Sequence, residues 1–351
     1  MNDGKLILDL GEKEIIRTII KPLLNPQGTP DLVGDDCAVI KLTDGQALCI
    51  STDRVPADLI SFRLGLIDYR QLGNYLAVLN LSDVAAMGAM PIGLLLNLGL
   101  PATLSVEHFQ DLMLGASRAC ERYDCRVIGG DLSNASELSI SATSIGLTKY
   151  ENVLRRSGSK VGDRIFCTDA LGLTSTAFHY FLDAKNRGLR LSSSDEDVLA
   201  DQFRSPRARF DVGPPLSLFR GVTCMDNTDG IGQTLLELAE INQVGFELNA
   251  EALPIHHLTE KVAAYLGMGV LDIALGPGAD FQLLGTLPIE LEPAIKHPDL
   301  SLKVIGRVVD GSGVHVFERG SRREFVVRGW NYFSAGVPRQ SSCAPGSNTK
   351  A

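Results

Sequence analysis

Seven aspartates, Asp35, Asp36, Asp53, Asp83, Asp131, Asp226 and Asp229, stand in short motifs flanked by glycine or small residues, with few basic neighbours to balance them. The motifs are Gly34-Asp35-Asp36, Ser51-Thr52-Asp53, Leu81-Ser82-Asp83, Gly129-Gly130-Asp131 and Asp226-Asn227-Thr228-Asp229-Gly230. Solvated acids are usually interleaved with Lys and Arg; acids without them need a cation. If several converge, two carboxylates about 4 Å apart repel by roughly 4 kcal/mol at an effective dielectric of about 20, so the cluster needs a divalent metal or protons. Hard oxygen donors favour Mg2+ over zinc. Several Mg2+ ions and a polyphosphate are the chemistry this pattern suggests.

Composition removes other classes. The 351 residues carry a formal charge of -9, with a sequence pI near 5.2, so a basic stripe for a nucleic-acid backbone is missing and an anionic substrate has to arrive with metal. No apolar run is long enough to span a bilayer, and Met1 to Leu10 lacks the layout of a signal peptide, so a cytoplasmic protein is expected. Seven irregularly spaced cysteines fit reduced core thiols better than a disulfide framework, and the six scattered histidines offer no zinc-ligand spacing. There is no GxxxxGK[ST], no strand-to-helix GxGxxG, no GxSxG and no protein-kinase signature.

The elements that must hold these acids are legible from spacing. Ile15, Ile16, Ile19, Ile20 and Leu23 predict an amphipathic helix over Glu12 to Leu24. Gln46 to Ser51 reads as a strand delivering Asp53 at its end. Asp68 with Gln71 predicts a capped helix running to Met87, stopped by Gly88 and holding Asp83 in its last turns. A strand is expected over Ile92 to Leu100, a helix from Ser105, a strand over Arg126 to Ile128 that stops at the glycine pair, and a strand over Leu138 to Ile145. The polar, glycine-bearing stretch Thr148 to Gly162 is the linker candidate. Beyond it come strand signals at Arg164, Gly221, Gly245, Phe281, Val304 and Val314 and a helix from Ile231 to Asn242. The expectation is α/β, in α+β layers: residues 1–147 an N-terminal metal- and ATP-binding dimerisation domain, 148–335 a C-terminal α/β domain, 336–351 a disordered tail.

Taken singly, each motif has an ordinary alternative. Gly34-Asp35-Asp36 could be an Asx turn. Ser51-Thr52-Asp53 could be a polar strand end. Asp83 could be paired with an arginine, although no basic residue lies within ten positions of it. Gly129-Gly130-Asp131 could be a hairpin turn rather than a phosphate-approach loop, and Thr228 or Asp229 could simply cap the helix that follows. The doubled arginine Arg155-Arg156, at the proposed junction, is either solvated linker charge or a fork for a nucleotide phosphate.

In this order the motifs resemble the thiamine-monophosphate kinases, within the wider superfamily of aminoimidazole ribonucleotide synthetase, selenophosphate synthetase and the hydrogenase-maturation dehydratase. The resemblance covers about residues 30 to 335 and is carried by Gly34 to Ala38, Ser51 to Asp53, Asn80 to Pro91, Gly129 to Asp131, Arg156 to Asp163 and Met225 to Gly230. It implies a two-domain aminoimidazole ribonucleotide synthetase-like fold whose N-terminal domains pair as a dimer sheet or barrel, with ATP in the cleft between domains. It implies Mg2+ ligands at Asp36, Ser51, Thr52, Asp53, Asp83, Asp131, Asp226 and Asp229, with Asp83, Asp131 and Asp229 carrying catalysis. ATP contacts fall to Gly130, Asp131, Arg156 and Thr228. Such a kinase transfers the ATP γ-phosphate with Mg2+ supplying charge neutralisation, and a phosphate acceptor, already ionised, requires no general base.

The acceptor side departs from the family. The family's Gly-Gly-Glu-Asp-Tyr-Glu-Leu is Pro277-Gly278-Ala279-Asp280-Phe281-Gln282-Leu283 here, so the substrate-contacting Glu becomes Ala279. The family's His aligns with Ile60, and its stacking Trp with Val327, close to Trp330. The expectation is therefore a homodimeric, Mg2+-dependent ATP phosphotransferase acting on a small phosphorylated or anionic acceptor other than thiamine phosphate. Its alternatives are a true thiamine-monophosphate kinase and a synthetase that activates an amide or carboxylate oxygen with ATP.

Overall fold

The computed structural model describes residues 6–295, 300 and 302–325. These form two compact units, a short helical stretch over residues 6–28 and the body of the chain from Thr29 onward. The first is helical across residues 12–24, as the spacing predicts, with a π-helical turn at Ile16–Ile20. Val327, Trp330 and the tail from Gly336 lie outside the described residues.

In the second unit, β1 (Ala38–Lys41), β2 (Gln46–Arg54), β3 (Met90–Leu100), β4 (Arg126–Asn134) and β5 (Ser139–Lys149) form one open sheet in the order β1-β2-β5-β3-β4. Within one chain this sheet does not close into a barrel. A seven-stranded sheet follows from β6 (Arg164–Cys167), β7 (Thr223–Asp226), β8 (Gly245–Asn249), β9 (Leu283–Leu287), β10 (Lys303–Val309), β11 (Val314–Glu318) and β12 (Ser321–Glu324), ordered β12-β11-β8-β10-β6-β9-β7. The α/β layering expected from the sequence is present. No helix among the described residues is long and apolar enough to cross a membrane.

Helix Tyr69–Ala86 is the central element of this second unit. Asp68 caps it as the spacing predicts, its carboxylate accepting from Gln71 N at 2.8 Å while the Gln71 side chain accepts from Asp68 N at 2.9 Å. All residues from Leu72 to Ala86 are buried, because the helix lies between the first sheet and side chains of the second half. Tyr75 meets Phe281 edge-on, ring centroids 5.6 Å apart. The neighbouring helix Val106–Glu121, capped by Ser105, crosses it at two glycines. A Cβ on Gly73 would lie 1.9 Å from the Leu112 carbonyl oxygen, and one on Gly115 would lie 1.8 Å from that of Arg70.

Strand β4 departs from expectation. It does not stop at the glycine pair but continues through Gly129, Gly130 and Asp131, running parallel to β3. Glycine is needed there for proximity, since a Cβ on Gly130 would lie 1.9 Å from the Leu96 carbonyl oxygen. The glycine pair is thus an edge-strand feature, and the loop expected there is absent.

The helix crossing yields a stability prediction. Gly115→Ala should force the two helices apart and lower unfolding free energy by about 1–3 kcal/mol, read from urea denaturation. An unchanged midpoint would mean the crossing relaxes freely.

Candidate functional site

Three elements bring three aspartates together. Asp83 sits in the last turn of helix Tyr69–Ala86, Asp226 ends β7, and Asp36 lies on the loop before β1. One carboxylate oxygen of each falls within 4.8 Å of the others, and all three residues are buried. Asp53 stands beside them, because β2 alternates and places Ser51 and Asp53 on the face turned to the helix. The Ser51 hydroxyl donates to Asp83 Oδ2 at 2.6 Å, and Asn80 Oδ1 accepts from Asp53 N at 2.9 Å.

The electrostatics follow from this crowding. Burial, and then the proximity of Asp226, Asp53 and Asp36, push the Asp83 carboxyl well above the usual carboxylate range. Asp226 is raised likewise, by burial first and then by Asp36. Burial lifts Asp36 to about 6 despite the opposing Arg156 guanidinium, and burial also raises Asp53 against the pull of Asp83. Two oxygens remain unanswered: Asp36 Oδ2 and Asp226 Oδ2 are fully buried and accept no hydrogen bond. Crowded hard carboxylates with orphaned oxygens fit a divalent cation such as Mg2+, for which Asp36, Asp83 and Asp226 are the candidate ligands.

Two arginines flank the cluster with different tasks. Arg156 Nη2 donates to Asp36 Oδ1 at 2.6 Å, and Nη1 donates to Glu237 Oε1 at 2.6 Å. Arg155 instead holds the loop that carries Asp36, donating to Asp35 Oδ2 at 3.1 Å and to the Pro30 carbonyl. Asp35 Oδ1 also accepts from Arg156 N at 2.8 Å. Asp35 is thus spent on the clamp, and Asp36 alone of the pair faces the cluster.

The remaining expected residues lie elsewhere. The Thr52 side chain alternates to the opposite face of β2 and donates to the Ala142 carbonyl at 2.9 Å. Asp131 is exposed on edge strand β4. In register, Asp53 meets Ala142, Ala142 meets Leu96, and Leu96 meets Gly130, so three strand spacings, roughly 14 Å, separate Gly130 and Asp131 from the cluster. Thr228 and Asp229 are half-buried on the turn between β7 and helix Ile231–Asn242. Neither caps that helix. Asn227 shapes the turn instead, its Oδ1 accepting from Gly230 N at 3.0 Å. Ile60 opens the short helix Ile60–Arg63, and Ala279 is half-buried, its carbonyl accepting from Thr174 Oγ1 at 3.1 Å.

Two residues escaped sequence reasoning. Asp280 caps helix Leu173–His179 by accepting from Gly172 N and Thr174 N, both at 2.8 Å. It lies in the Pro277 to Leu283 motif, where the departure from the family pattern is at its neighbour Ala279. Glu237 sits mid-helix, 81 residues from its arginine partner, and nothing local marks it.

This fold is of the aminoimidazole ribonucleotide (AIR) synthetase-like class, and residues 34–148 match the family model described as AIR synthase related protein, N-terminal domain. The chain is 31% identical to the thiamine-monophosphate kinase of Synechococcus elongatus over 95% of its length and 99% of that protein, and 28% identical to that of Pyrococcus abyssi with the same coverage. Among solved structures, AaThiL complexed with AMPPCP and TMP superposes with a TM-score of 0.79 at 28% identity, covering 94% of this chain and 99% of that one. The chain belongs to the thiamine-monophosphate kinase family, and so to the ATP-dependent kinases. The expectation of an acceptor other than thiamine phosphate gains no support from these relatives, whose shared name favours the alternative reading.

The raised acids fix a pH dependence. An acid whose folded pKa lies above its unfolded value favours the folded state at low pH, and that contribution is lost as pH climbs from about 4 toward 6, the range set by Asp36. A divalent cation held by these carboxylates would replace the missing protons. In differential scanning fluorimetry, Mg2+ should therefore raise the melting temperature of the nucleotide-free protein more at pH 8 than at pH 4.5. Equal shifts at both would show that the cation binds away from these carboxyls.

Proposed function

We propose that this protein is a Mg2+-dependent thiamine-monophosphate kinase, transferring the γ-phosphate of ATP to thiamine phosphate. The observation that carries this reading is the convergence of Asp36, Asp83 and Asp226 with two buried oxygens left unpaired. Mg2+ bound there would neutralise the phosphate charge that builds up during transfer. The chain's own residues orient and balance the site. Ser51 fixes the Asp83 carboxylate, Asn80 fixes the strand at Asp53, and Arg156 offers a guanidinium at the edge of the acids. An acceptor phosphate is ionised near neutral pH, so proton abstraction is not demanded of any residue.

Gly130, Asp131 and Thr228 are assigned to the nucleotide by family position, and Asp229 to the metal and to catalysis. For Gly130 and Asp131 that role is supported best in a dimer, since both lie on an exposed edge strand. The open face of the first sheet carries Ile40, Leu48, Ile50, Leu95, Ile145 and Leu147, exposed or half-buried. A face this apolar supports pairing with a second copy. We also take the two sheets as two domains that meet near residue 148, with the nucleotide between them.

Incubation with ATP, Mg2+ and thiamine phosphate should yield ADP and thiamine diphosphate. Turnover restricted to another phosphorylated metabolite would restore the altered-acceptor reading, and no turnover with any acceptor would remove the kinase assignment. Asp83→Asn should cut turnover roughly a hundredfold or more while circular dichroism stays unchanged. Unaltered turnover would make this acid structural. Leu95→Arg should convert a dimer to monomers in sedimentation velocity, and a persistent dimer would exclude this sheet face as the interface.

A further inference from the structure

We propose that Glu237 is a positioning residue for Arg156: it supplies a carboxylate outside the acid cluster onto which the guanidinium shifts when a divalent cation takes Asp36. This rests on the metal reading above and adds a residue to it.

The geometry is that of a bridged cation. Both Nε, at 3.2 Å, and Nη2, at 2.6 Å, of Arg156 donate to the same oxygen of Asp36, while Nη1 donates to Glu237 at 2.6 Å. The other Asp36 oxygen, Oδ2, has no hydrogen-bond partner. Arg156 is thus the tethered counter-ion of the cluster, and a metal arriving on Asp36 displaces part of its pairing and repels it.

The backbone cannot follow that displacement. Asn242 Nδ2 donates to the Arg156 carbonyl at 2.9 Å, and Asn242 Oδ1 accepts from Gly158 N at 2.6 Å and Ser159 N at 2.9 Å. Only the side chain is left to move. Glu237 and Asn242 belong to the same helix, Ile231–Asn242, so one rigid element holds the main chain of the arginine and receives its side chain. The Glu237 side chain is 23% exposed, against 0% for Asp36, so the transferred guanidinium moves toward water. The same helix begins at the turn after Asp226, which couples the arginine to the far side of the acid cluster.

A double-mutant cycle tests this, with Mg2+ affinity of the nucleotide-free full chain measured by calorimetry. Glu237→Gln should weaken Mg2+ binding about tenfold, because the displaced arginine then has no second anchor. Arg156→Ala should tighten it by removing the competing cation. In the Arg156→Ala background, Glu237→Gln should change affinity by less than about twofold. An equal loss in both backgrounds, or none in the wild-type background, overturns the proposal. A purely structural role for Glu237 would lower the melting temperature without this non-additivity. If Glu237→Gln fails to fold, Glu237→Asp, which keeps the charge and shortens the reach, enters the same cycle with the same criteria. Absence of Mg2+ binding to the wild type would sink the metal reading itself, whereas binding without coupling sinks only the role of Glu237.

Discussion

Mutual repulsion among buried carboxylates is the constraint around which the chain is organised. Asp83 lies in the final turn of helix Tyr69–Ala86, where the negative end of the helix dipole disfavours an acid, and the helix is buried along almost its whole length. Asp226 and Asp36 are brought against it from β7 and from the loop before β1. Each placement runs against local preference. Nothing in the packing rewards it, since small apolar residues would fill the same space without desolvating charge. The arrangement makes physical sense when a cation restores the balance, and one cluster would then govern both stability and chemistry.

How much of this was legible in the sequence depends on whether the signal was local. The Asp68 and Gln71 cap, the Ser105 cap and helix Ile231–Asn242 were readable because capping and apolar spacing act within a few residues. Asp36, Asp53, Asp83 and Asp226 were legible as acids with few basic neighbours, and the fold brings them together. The glycine pair misled because glycine before an acid ordinarily announces a turn. In β4 it permits close approach to the Leu96 carbonyl instead, a requirement that exists only once β3 is alongside. Thr228 and Asp229 looked like caps, yet Asn227 reaches the amide first. Glu237 could not have been found this way, because Arg156, the arginine it holds, is remote along the chain.

The two sheets contribute unequally to the site. The first supplies Ser51 and Asp53 from β2, aligned by nine consecutive register pairs with β5. The second supplies Asp226 from an edge strand that pairs with β9 and bridges through Thr223 to Arg155. The hydrophobic core runs unbroken from Tyr75 and Leu76 to Tyr180 and Phe281, which fixes the acids of one half against those of the other. A cluster that repels itself can stay assembled only if the elements bearing it are held by forces independent of it, and this shared core is such a force.

Arg155 and Arg156 show how one short segment serves both ends. The bridge of Arg155 to Thr223 makes the segment extended, and an extended chain sends successive side chains to opposite sides. Arg155 therefore turns to Asp31, Asp35 and Pro30 and secures the loop, while Arg156 turns to Asp36 and Glu237 and enters the site. The Asp35-Asp36 dipeptide is divided in the same way, one acid for the clamp and one for the cluster. Guanidinium suits both positions better than ammonium, since each arginine meets several acceptors with separate N-H groups of a planar fork. Adjacent residues of identical type thus acquire different duties from backbone alternation alone, and that alternation keeps the buried acids in place without consuming the orphaned oxygens that a cation needs.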